Sequence, residues 1–361
     1  MIKIQFLTPK DISPNTHAII YPLLRWRNFI SEISYECKIV NKNNITNSDI
    51  IIVDSKFHKF WWQNKDLGEN AIIKDLKNLK NKCYKIVYYD STDSSGCIQK
   101  EVIPYVDQYW KGQTLKKKDQ YKINYIEQRI FTDFIYKEVN NLEKKDKFEN
   151  FRWDEINKIK TAWNSSLTNY NFISGKLARL ATKYKFDYLL SREIKIKKYK
   201  NKRNNLISCR IFSEYPNKMI SWQRQSSKEI LKNICETNLI SKNNYHKELK
   251  NSKMTFSPFG WGEICYRDFE SFFSGSLLIK PSMEHLETWP NLYINGKTYI
   301  SCKWDLKDLL EKIENNQNNF QSEIVDNARE IYNKYLNKST GKVLFRDRLE
   351  ILINNLIQES L

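Results

Sequence analysis

Residues Ser257 to Pro281 read S-P-F-G-W-G-E-I-C-Y-R-D-F-E-S-F-F-S-G-S-L-L-I-K-P, and this stretch decides the fold. A predicted strand at Lys253 to Ser257 runs into a loop that contains Gly260 and Gly262, and the loop leads into a predicted helix. Glycine lets the backbone approach a ligand closely, and the first amides of a helix have no partner within the helix. The segment therefore predicts an anion pocket of the kind that binds phosphate.

The predicted helix carries charge on one side and apolar residues on the other. Glu263, Arg267 and Glu270 follow one another at i, i+4 and i+7, so we expect them on one stripe. Cys265, Phe269 and Phe272 repeat the same spacing on the opposite side. We expect the charged stripe to face the mouth of the glycine loop. The alternative is an ordinary solvated face, which is the more common meaning of such a pattern.

These residues resemble the donor-binding segment of GT-B glycosyltransferases, particularly exostosin-like and family 1 or 4-like transferases. The family signature runs Ser-Lys-Phe, a Pro-x-Gly-x-Gly-like loop, Arg-x-x-Glu, a Gly and an apolar strand that ends in Pro. The matching positions here are Ser252 to Met254, Pro258 to Gly262, Arg267 to Glu270, Gly275 and Pro281. The resemblance implies an α/β protein with two Rossmann-like domains that face a central cleft. The spacing of the two acidic residues departs from the retaining-enzyme motif, so retention of configuration is not implied.

The resemblance also implies roles for individual residues. In the family, the helix glutamate holds the ribose hydroxyls of a nucleotide-sugar, and the arginine and the loop amides hold its phosphates. Glu270 and Arg267 are the matching residues here, and Glu263 and Tyr266 are expected in the pocket wall. The full set of expected donor-site residues is Arg210, Arg224, Gly260, Gly262, Glu263, Tyr266, Arg267 and Glu270. Arg210 and Arg224 are equally well interpreted as ordinary surface arginines.

Two loops in the first half offer a catalytic base for the acceptor hydroxyl. Asp93 follows the predicted strand Tyr84 to Asp90, and His17 follows the first strand. A carboxylate or imidazole at a strand end can take the proton if the cleft tunes its pKa. A turn or helix-cap role is the alternative for Asp93, and a hydrogen-bonded residue at a helix start is the alternative for His17. Four scattered histidines give no metal motif, so we expect a metal-free site whose only co-substrate is the nucleotide-sugar.

The first half alternates apolar strands with helices, which predicts a parallel sheet covered on both faces. The predicted strands are Met1 to Leu7, Asp49 to Asp54, Tyr84 to Asp90 and Asp107 to Gly112. The predicted helices are Tyr21 to Ser34, Ala71 to Lys82 and Asn140 to Asn164. The aromatic run Phe57 to Trp62 follows the second of these strands and is interpreted either as a stacking wall for an acceptor sugar or as core.

The basic segment Lys195 to Arg203 is poor in core residues and is expected to be the interdomain linker. A second α/β succession begins at Asn205, with helices expected at Ser227 to Cys235 and Asn244 to Lys250. These signals predict an acceptor-side domain at 1–203 and a nucleotide-sugar-binding domain at 204–335. The terminal helix at 336–361 either crosses back to the first domain or packs on its own domain.

The composition narrows the class of partner without choosing one. The chain has 361 residues and a formal net charge of +18, which favours anionic partners such as nucleotide-sugars, nucleic acid or acidic lipid. A coding bias toward Lys, Asn and Ile is the alternative explanation of this charge. The seven cysteines form no C-x-x-C pair and indicate a reduced compartment. With neither a signal peptide nor a membrane span in the sequence, we expect a cytoplasmic protein.

We expect a glycosyltransferase that moves a sugar from a nucleotide-sugar to a glycan or lipid-linked acceptor, as the resemblance implies for cell-surface polysaccharide assembly. Peripheral contact with an anionic membrane is a further expectation from the basic charge. The alternative function is a noncatalytic nucleic-acid-binding protein that uses Lys195 to Arg203 and exposed aromatic residues.

Overall fold

The computed structural model describes residues 1–33, 35–59, 68–138, 153–184, 186–196, 198–199, 202–318 and 321–359. The first half contains β1 (Ile2–Leu7), α1 (Pro14–Arg25), α2 (Arg27–Ser31), β2 (Tyr35–Val40), β3 (Ser48–Asp54), α3 (Gly68–Lys80), β4 (Cys83–Asp90), β5 (Gln108–Lys111), β6 (Gln113–Leu115), α4 (Ile130–Glu138), β7 (Ile159–Thr161), α5 (Phe172–Tyr184) and α6 (Asp187–Leu190).

Six of these strands form one parallel sheet in the order β2-β1-β3-β4-β5-β7. The central strands β3 and β4 are continuous apolar runs, and Ile51, Ile52, Val87 and Tyr88 are at most 1% exposed. Such runs occur where both faces of a parallel sheet are covered by helices.

The second half contains β8 (Asn205–Ser208), α7 (Lys218–Leu231), α8 (Lys242–Asn251), β9 (Ser252–Phe256), α9 (Tyr266–Ser274), β10 (Leu277–Pro281), β11 (Leu286–Thr288), β12 (Ile300–Cys302), α10 (Leu309–Asn318), α11 (Ser322–Leu336) and α12 (Thr340–Gln358). Four strands form a second parallel sheet in the order β12-β10-β9-β8. Two α/β domains with parallel sheets therefore face each other, and the GT-B fold class predicted from the sequence is confirmed.

A pair of strands and the last helix link the domains. Strand β6 of the first domain pairs antiparallel with β11 of the second, and Leu115 lies opposite Leu286. Helix α12 packs its apolar side onto the first sheet, where Phe345 and Leu349 join the core that contains Phe6. The last helix thus shares a core with the first domain, although it follows the second in sequence.

Several sequence-based element predictions need correction. The first helix spans Pro14–Arg25, because Ser13 caps it and Pro14 occupies its first turn, whereas the periodicity placed its start at Tyr21. Strand β2 was not predicted. The helix expected at Asn140 to Asn164 is wrong beyond residue 158, where the chain forms β7. Residues 140–152 of that prediction lie outside the described residues, as do residues 60–62 of the aromatic run and residues 197, 200 and 201 of the basic segment.

In the helices that the structure describes, none is long and apolar enough to cross a bilayer.

Candidate active site

A pocket lies between the domains at the carboxyl ends of the first sheet's strands, where ligands bind in open α/β sheets. We call it the cleft pocket. Its cavity volume is ≈ 80 Å³. Its walls are the start of α1 (Asn15, Ala18, Ile19), residues 89–93 after β4, residues 112–113, residues 163–165, and Ile264 and Tyr266 from the second domain. Both domains therefore contribute to this pocket.

Two buried aspartates at the strand ends hold the loops that form its floor. Asp54 ends β3 and accepts hydrogen bonds from Thr16 Oγ1 (2.6 Å) and Ser91 Oγ (2.8 Å). It thereby ties the start of α1 to the loop after β4. Burial raises the pKa of Asp54, against the opposing effect of these hydrogen bonds.

Asp90 ends β4 and forms a buried ion pair with Lys111 of β5. The Lys111 Nζ to Asp90 Oδ2 distance is 2.6 Å, and neither side chain is exposed. Tyr109 donates a further hydrogen bond of 2.7 Å to the same oxygen. Burial disfavours the charged carboxylate, but the Lys111 charge and the hydrogen bonds outweigh it and lower the pKa of Asp90. Lys111 also donates to Thr92 Oγ1, so the pair fixes the loop that presents Asp93.

Asp93 is an exposed carboxylate in the wall of the cleft pocket. Asn15 donates to Asp93 Oδ1 at 2.9 Å and to the carbonyl of Ser91 at 2.9 Å. Across the cleft, the Tyr266 hydroxyl donates to Asn15 Oδ1 at 2.9 Å. Burial, followed by the nearby Asp93 charge, raises the pKa of Tyr266 to about 12, so its hydroxyl remains a donor at neutral pH. The structure therefore brings two predicted site residues, Asp93 and Tyr266, to one hydrogen-bonded chain.

His17, the other candidate base, lies elsewhere. It is 5% exposed on α1, its ring packs on Tyr21, and it is not part of the cleft pocket wall. Burial and the charge of Arg179 lower its pKa to about 4, so the ring is neutral at pH 7. A buried neutral imidazole outside the pocket wall is not placed to meet an acceptor hydroxyl, and the expectation that His17 faces the cleft is wrong.

The glycine loop contacts the first domain and does not form an open cradle. A Cβ at Gly262 would lie 1.9 Å from the backbone oxygen of Asp93, and one at Gly260 would lie 2.9 Å from Arg224. Arg129 of the first domain donates to the carbonyl of Trp261 at 3.0 Å. Gly262 is therefore required for the close approach of two backbones across the cleft.

The start of α9 is already occupied by a carboxylate. Asp268 lies in the first turn, accepts from the Cys265 amide at 3.0 Å, and is 3.3 Å from Lys280 Nζ. It holds the position that a phosphate would take at a helix N-terminus. One amide at this helix end therefore has a protein acceptor, and the predicted phosphate contact of the glycine loop stays a prediction.

Glu263 precedes α9, so its predicted place on a helical stripe with Arg267 and Glu270 is also wrong. It is 1% exposed, and its carboxylate accepts from Ser95 Oγ at 2.6 Å and from the Ser95 amide at 3.1 Å. His285 Nε2 lies 3.6 Å away. Burial opposes the charge, but His285 and Ser95 outweigh it and lower the pKa of Glu263. Glu263 joins the two domains beside the pocket instead of lining it.

The predicted phosphate-binding arginines Arg224 and Arg210 have protein partners. Arg224 donates to the carbonyls of Phe259 and Phe212 at 2.8 and 3.0 Å, so it holds the glycine loop in place. Arg210 forms a two-pronged pair with Glu248, with distances of 2.7 to 3.2 Å. Neither arginine lines the cleft pocket, and their predicted contacts to phosphate remain predictions.

Arg267 and Glu270 lie together in a mostly covered cluster on α9. Arg267 donates to the carbonyl of Arg210, and no acceptor among the described residues reaches its buried Nε in hydrogen-bond geometry. Glu270 has 13% of its side chain exposed, and His246 Nε2 is 4.0 Å from its carboxylate. Burial raises the pKa of Glu270, while the charges of Arg267, Lys242 and Arg179 oppose that rise. Because Arg179 belongs to the first domain, this cluster lies where the two domains meet.

The sequence reasoning missed Asn15, Asp90 and Lys111, which position Asp93. One signal was present: both D-I-I-I-V-D and Y-K-I-V-Y-Y-D end a buried strand with aspartate. The pairing of Lys111 with Asp90 depends on two strands that are adjacent only in the folded sheet.

No protein-family model matches this sequence, and no curated protein is significantly similar to it. Among solved structures, the chain is similar to Anabaena HepE in complex with UDP and glucose, with 10% identity, 98% of this chain and 100% of that chain covered, and a TM-score of 0.47. It is also similar to the α-glucosyltransferase AGT in complex with UDP (12% identity, 97% and 100% covered, TM-score 0.42) and to a glycosyltransferase from Rickettsia africae (11%, 97% and 97%, 0.46). Similarity at this level concerns the overall fold and identifies neither ligand nor reaction.

Proposed function

We propose that this protein transfers a sugar from a nucleotide-sugar to a hydroxyl of a glycan or lipid-linked acceptor. The observation that carries the proposal is the cleft pocket, in which Asp93 of the first domain is linked through Asn15 to Tyr266 of the second. A carboxylate at the meeting point of two domains is placed to act on one substrate held by each.

Asp93 is the proposed base for the acceptor hydroxyl. It is exposed, unlike Asp54 and Asp90, whose buried carboxylates accept hydrogen bonds from protein donors. Asn15 donates to one oxygen of this exposed carboxylate, in the wall of the pocket that an acceptor would enter. Removing that proton as the glycosidic bond forms is general base catalysis.

Arg267 and Glu270 are the proposed donor-holding residues; they follow Tyr266 on α9 and lie outside the lining of the cleft pocket. The buried Nε of Arg267 is a hydrogen-bond donor without an acceptor among the described residues, and a diphosphate supplies charged acceptors. Arg179 adds a second cation from the first domain, acting on both Tyr266 and Glu270. Oriented cations of this kind stabilise the charge that develops on a departing diphosphate. Glu270, one turn from Tyr266, is assigned to the ribose hydroxyls by the family resemblance.

The finer parts of the proposal come from the sequence. They are a hexosyl donor, metal-independent transfer without an organic cofactor, a cytoplasmic location and a role in cell-surface polysaccharide assembly. The basic charge of the chain supports an anionic co-substrate.

Nucleotide binding and sugar transfer, measured on two variants, test the proposal. Calorimetric titration with nucleoside diphosphates should show binding to the wild type, and Arg267→Ala should weaken it about 10- to 100-fold through loss of a charge-assisted hydrogen bond. Asp93→Asn should leave that affinity unchanged and lower the transfer rate about 10²- to 10⁴-fold, because the general base is lost.

Matched controls exist for both changes. Arg346 pairs with Asp347 on the surface, and Asp119 is an exposed aspartate outside the cleft pocket wall. Arg346→Ala and Asp119→Asn should behave as wild type in both assays. Absence of binding to every nucleoside diphosphate, or an Asp93→Asn rate equal to that of Asp119→Asn, would contradict the proposal.

A further inference from the structure

Helix α5 presents a stripe of large apolar side chains to solvent. Leu177, Leu180 and Tyr184 are 40%, 51% and 57% exposed, and they follow the i, i+3, i+7 spacing of one helical face. The stripe continues past the helix end with Phe186 at 56% and Tyr188 at 74%. The ring centres of Tyr184 and Phe186 lie 6.0 Å apart. Single exposed apolar residues are ordinary, but five within residues 177–188 indicate an interaction site. We call this surface the α5–α6 face.

Cationic side chains lie next to that stripe. Lys176 and Lys183 are exposed and each adjoins a member of the stripe, while Arg179, at the same helical spacing, is the cation that acts on Glu270 at the domain junction. Lys183 Nζ lies 5.4 Å from the Tyr184 ring centre, and the Arg192 guanidinium lies 5.4 Å from that of Tyr188.

The basic character extends through the sequence that follows. Between Lys176 and Arg203 the chain has eleven Lys or Arg residues, and its acidic residues are Asp187 and Glu193. Arg203 itself is buried, where it donates to the carbonyls of Ser252 and Ser274 at 2.6 and 2.7 Å. It therefore does not belong to the exposed basic surface.

The opposite side of the same segment is packed into the protein. Ala178, Ala181 and Leu190 are at most 3% exposed and belong to the core that also contains Tyr21 and Phe269. The exposed side chains therefore project from a fixed platform, and ordering the segment on binding costs little additional entropy.

We propose that the α5–α6 face binds the surface of an anionic lipid bilayer. Leucine and aromatic side chains gain free energy when they enter the boundary between headgroups and acyl chains, and the neighbouring cations are attracted to anionic headgroups. A nucleic acid could bind the cations through its phosphates and the aromatic rings through its bases, but it offers no apolar phase for Leu177 and Leu180. The aliphatic centre of the face thus favours a membrane.

The face also lies close to the proposed reaction. Residues 163–165 line the cleft pocket, and α5 begins at Phe172, a few residues later. Arg179 on α5 acts electrostatically on Tyr266 of the pocket wall. A bilayer held on this face would place a lipid-linked acceptor near the pocket. That last step rests on the proposed function, whereas membrane binding itself does not.

Vesicle sedimentation tests the membrane proposal without any catalytic readout. The full-length protein is mixed with vesicles of phosphatidylcholine alone, or with phosphatidylcholine and phosphatidylglycerol, at low salt. We expect binding to the anionic vesicles. Leu180→Glu should weaken this binding about tenfold or more, because the bilayer no longer covers an apolar side chain at this position. Lys176→Gln with Lys183→Gln should weaken it about fivefold for each charge removed.

The second domain provides matched controls. Leu239 is 63% exposed, and Lys297 and Lys303 are exposed lysines. Leu239→Glu and Lys297→Gln with Lys303→Gln make the same chemical changes away from the α5–α6 face and should bind as wild type. All variants alter exposed positions, so their thermal unfolding should match that of the wild type.

Three outcomes would overturn the proposal. They are absence of sedimentation with anionic vesicles, equal loss in the α5–α6 variants and their controls, and salt-sensitive binding of the face to single-stranded RNA in place of vesicles. Loss of vesicle binding in the face variants with normal nucleotide affinity supports membrane docking. Normal vesicle binding without any nucleotide affinity contradicts the proposed function alone.

Discussion

Asp93, in the loop after β4, is exposed, whereas the aspartates that end β3 and β4 are buried, and that difference separates a chemical role from structural ones. Asp54 and Asp90 are at most 1% exposed, and their carboxylate oxygens accept hydrogen bonds from protein donors. Asp93 is three residues beyond Asp90, exposed, and held by a single amide from Asn15. The sequence indicated a carboxylate after this strand, but the buried hydrogen bonds that choose among the aspartates come from distant positions.

His17 makes the stability of the fold depend on pH. Its pKa is lowered to about 4, first by burial and then by Arg179, whereas an unfolded histidine titrates near 6.5. Between these values the unfolded chain binds a proton that the folded chain refuses, so the free energy of unfolding falls as pH drops from 6.5 toward 4. We expect this group to contribute about 3 kcal/mol above pH 6.5 that is lost through that window.

Urea unfolding of His17→Gln at several pH values between 7 and 4 checks this expectation. Glutamine does not titrate, so the variant should lose less stability on acidification than the wild type. His246, whose pKa is also lowered to about 4, contributes with the same sign and stays in the variant, so a residual acid dependence is expected. Parallel acid curves for wild type and variant would show that His17 takes up its proton as readily in the folded chain.

At the scale of the element, the order strand, loop, helix from β9 to α9 was predicted correctly from the sequence. The residue at which helix α9 begins was not. Periodicity places residues on a face without fixing where a helix begins. Here the Asp268 carboxylate closes onto the Cys265 amide, so α9 begins at Tyr266 and leaves Glu263 in the loop. Glu263, which was predicted to lie in the ligand pocket wall, therefore contacts Ser95 of the first domain instead.

Gly262→Ala tests the loop contact. The added Cβ would lie 1.9 Å from the Asp93 carbonyl oxygen, so either the loop or the domain contact must shift. Forced overpacking of this kind costs about 1–3 kcal/mol. We expect a lower melting temperature together with slower sugar transfer, because the displaced backbone also carries the Asp93 carboxylate.

Trp261→Ala is the matched change in the same loop. It removes a ring that is 41% exposed but keeps the backbone carbonyl that Arg129 contacts. Its melting temperature should lie closer to that of the wild type than does that of Gly262→Ala. The reverse order would mean that the ring, and not the close backbone approach, holds the loop.

At the scale of the whole molecule, the terminal helix α12 completes the first domain. Its buried side includes Phe345, Leu349 and Ile353, each 0% exposed, in the core under the first sheet. The sequence left two positions open for this helix, since its apolar spacing is compatible with either domain. Helix α12 covers the apolar surface that the rest of the folded chain leaves open. The periodicity of the helix itself carries no information about where that surface lies.

Leu349→Ala and Ile351→Ala measure this contribution. Truncating the fully buried Leu349 should lower the free energy of unfolding by about 3 kcal/mol. The same truncation at Ile351, which is 51% exposed on the other side of α12, should change it by about 0.5 kcal/mol or less. Denaturant unfolding provides the comparison, and equal effects at the two positions would contradict the packing of α12 on the first sheet.

The fold class followed from the sequence because buried parallel strands such as β3 and β4 are nearly continuous apolar runs with loops of turn-forming residues between them. The site followed only in part. Asp93 and Tyr266 were predicted and meet in the pocket, whereas the partners of Arg224, Arg210 and Glu263 are carbonyls and side chains that only the folded chain brings near. In a sequence, a polar residue that binds a ligand cannot be told from one that forms hydrogen bonds within the protein.

The two-stranded ribbon of β6 and β11 limits how such a protein can be recombined. A chimera that takes its carboxyl-terminal half from another protein of this fold must supply a strand that matches Gln113–Leu115 in register, or leave an unpaired edge beside the cleft. Exchange of the second domain by grafting is therefore best attempted with boundaries that keep residues 286–288 from the original parent.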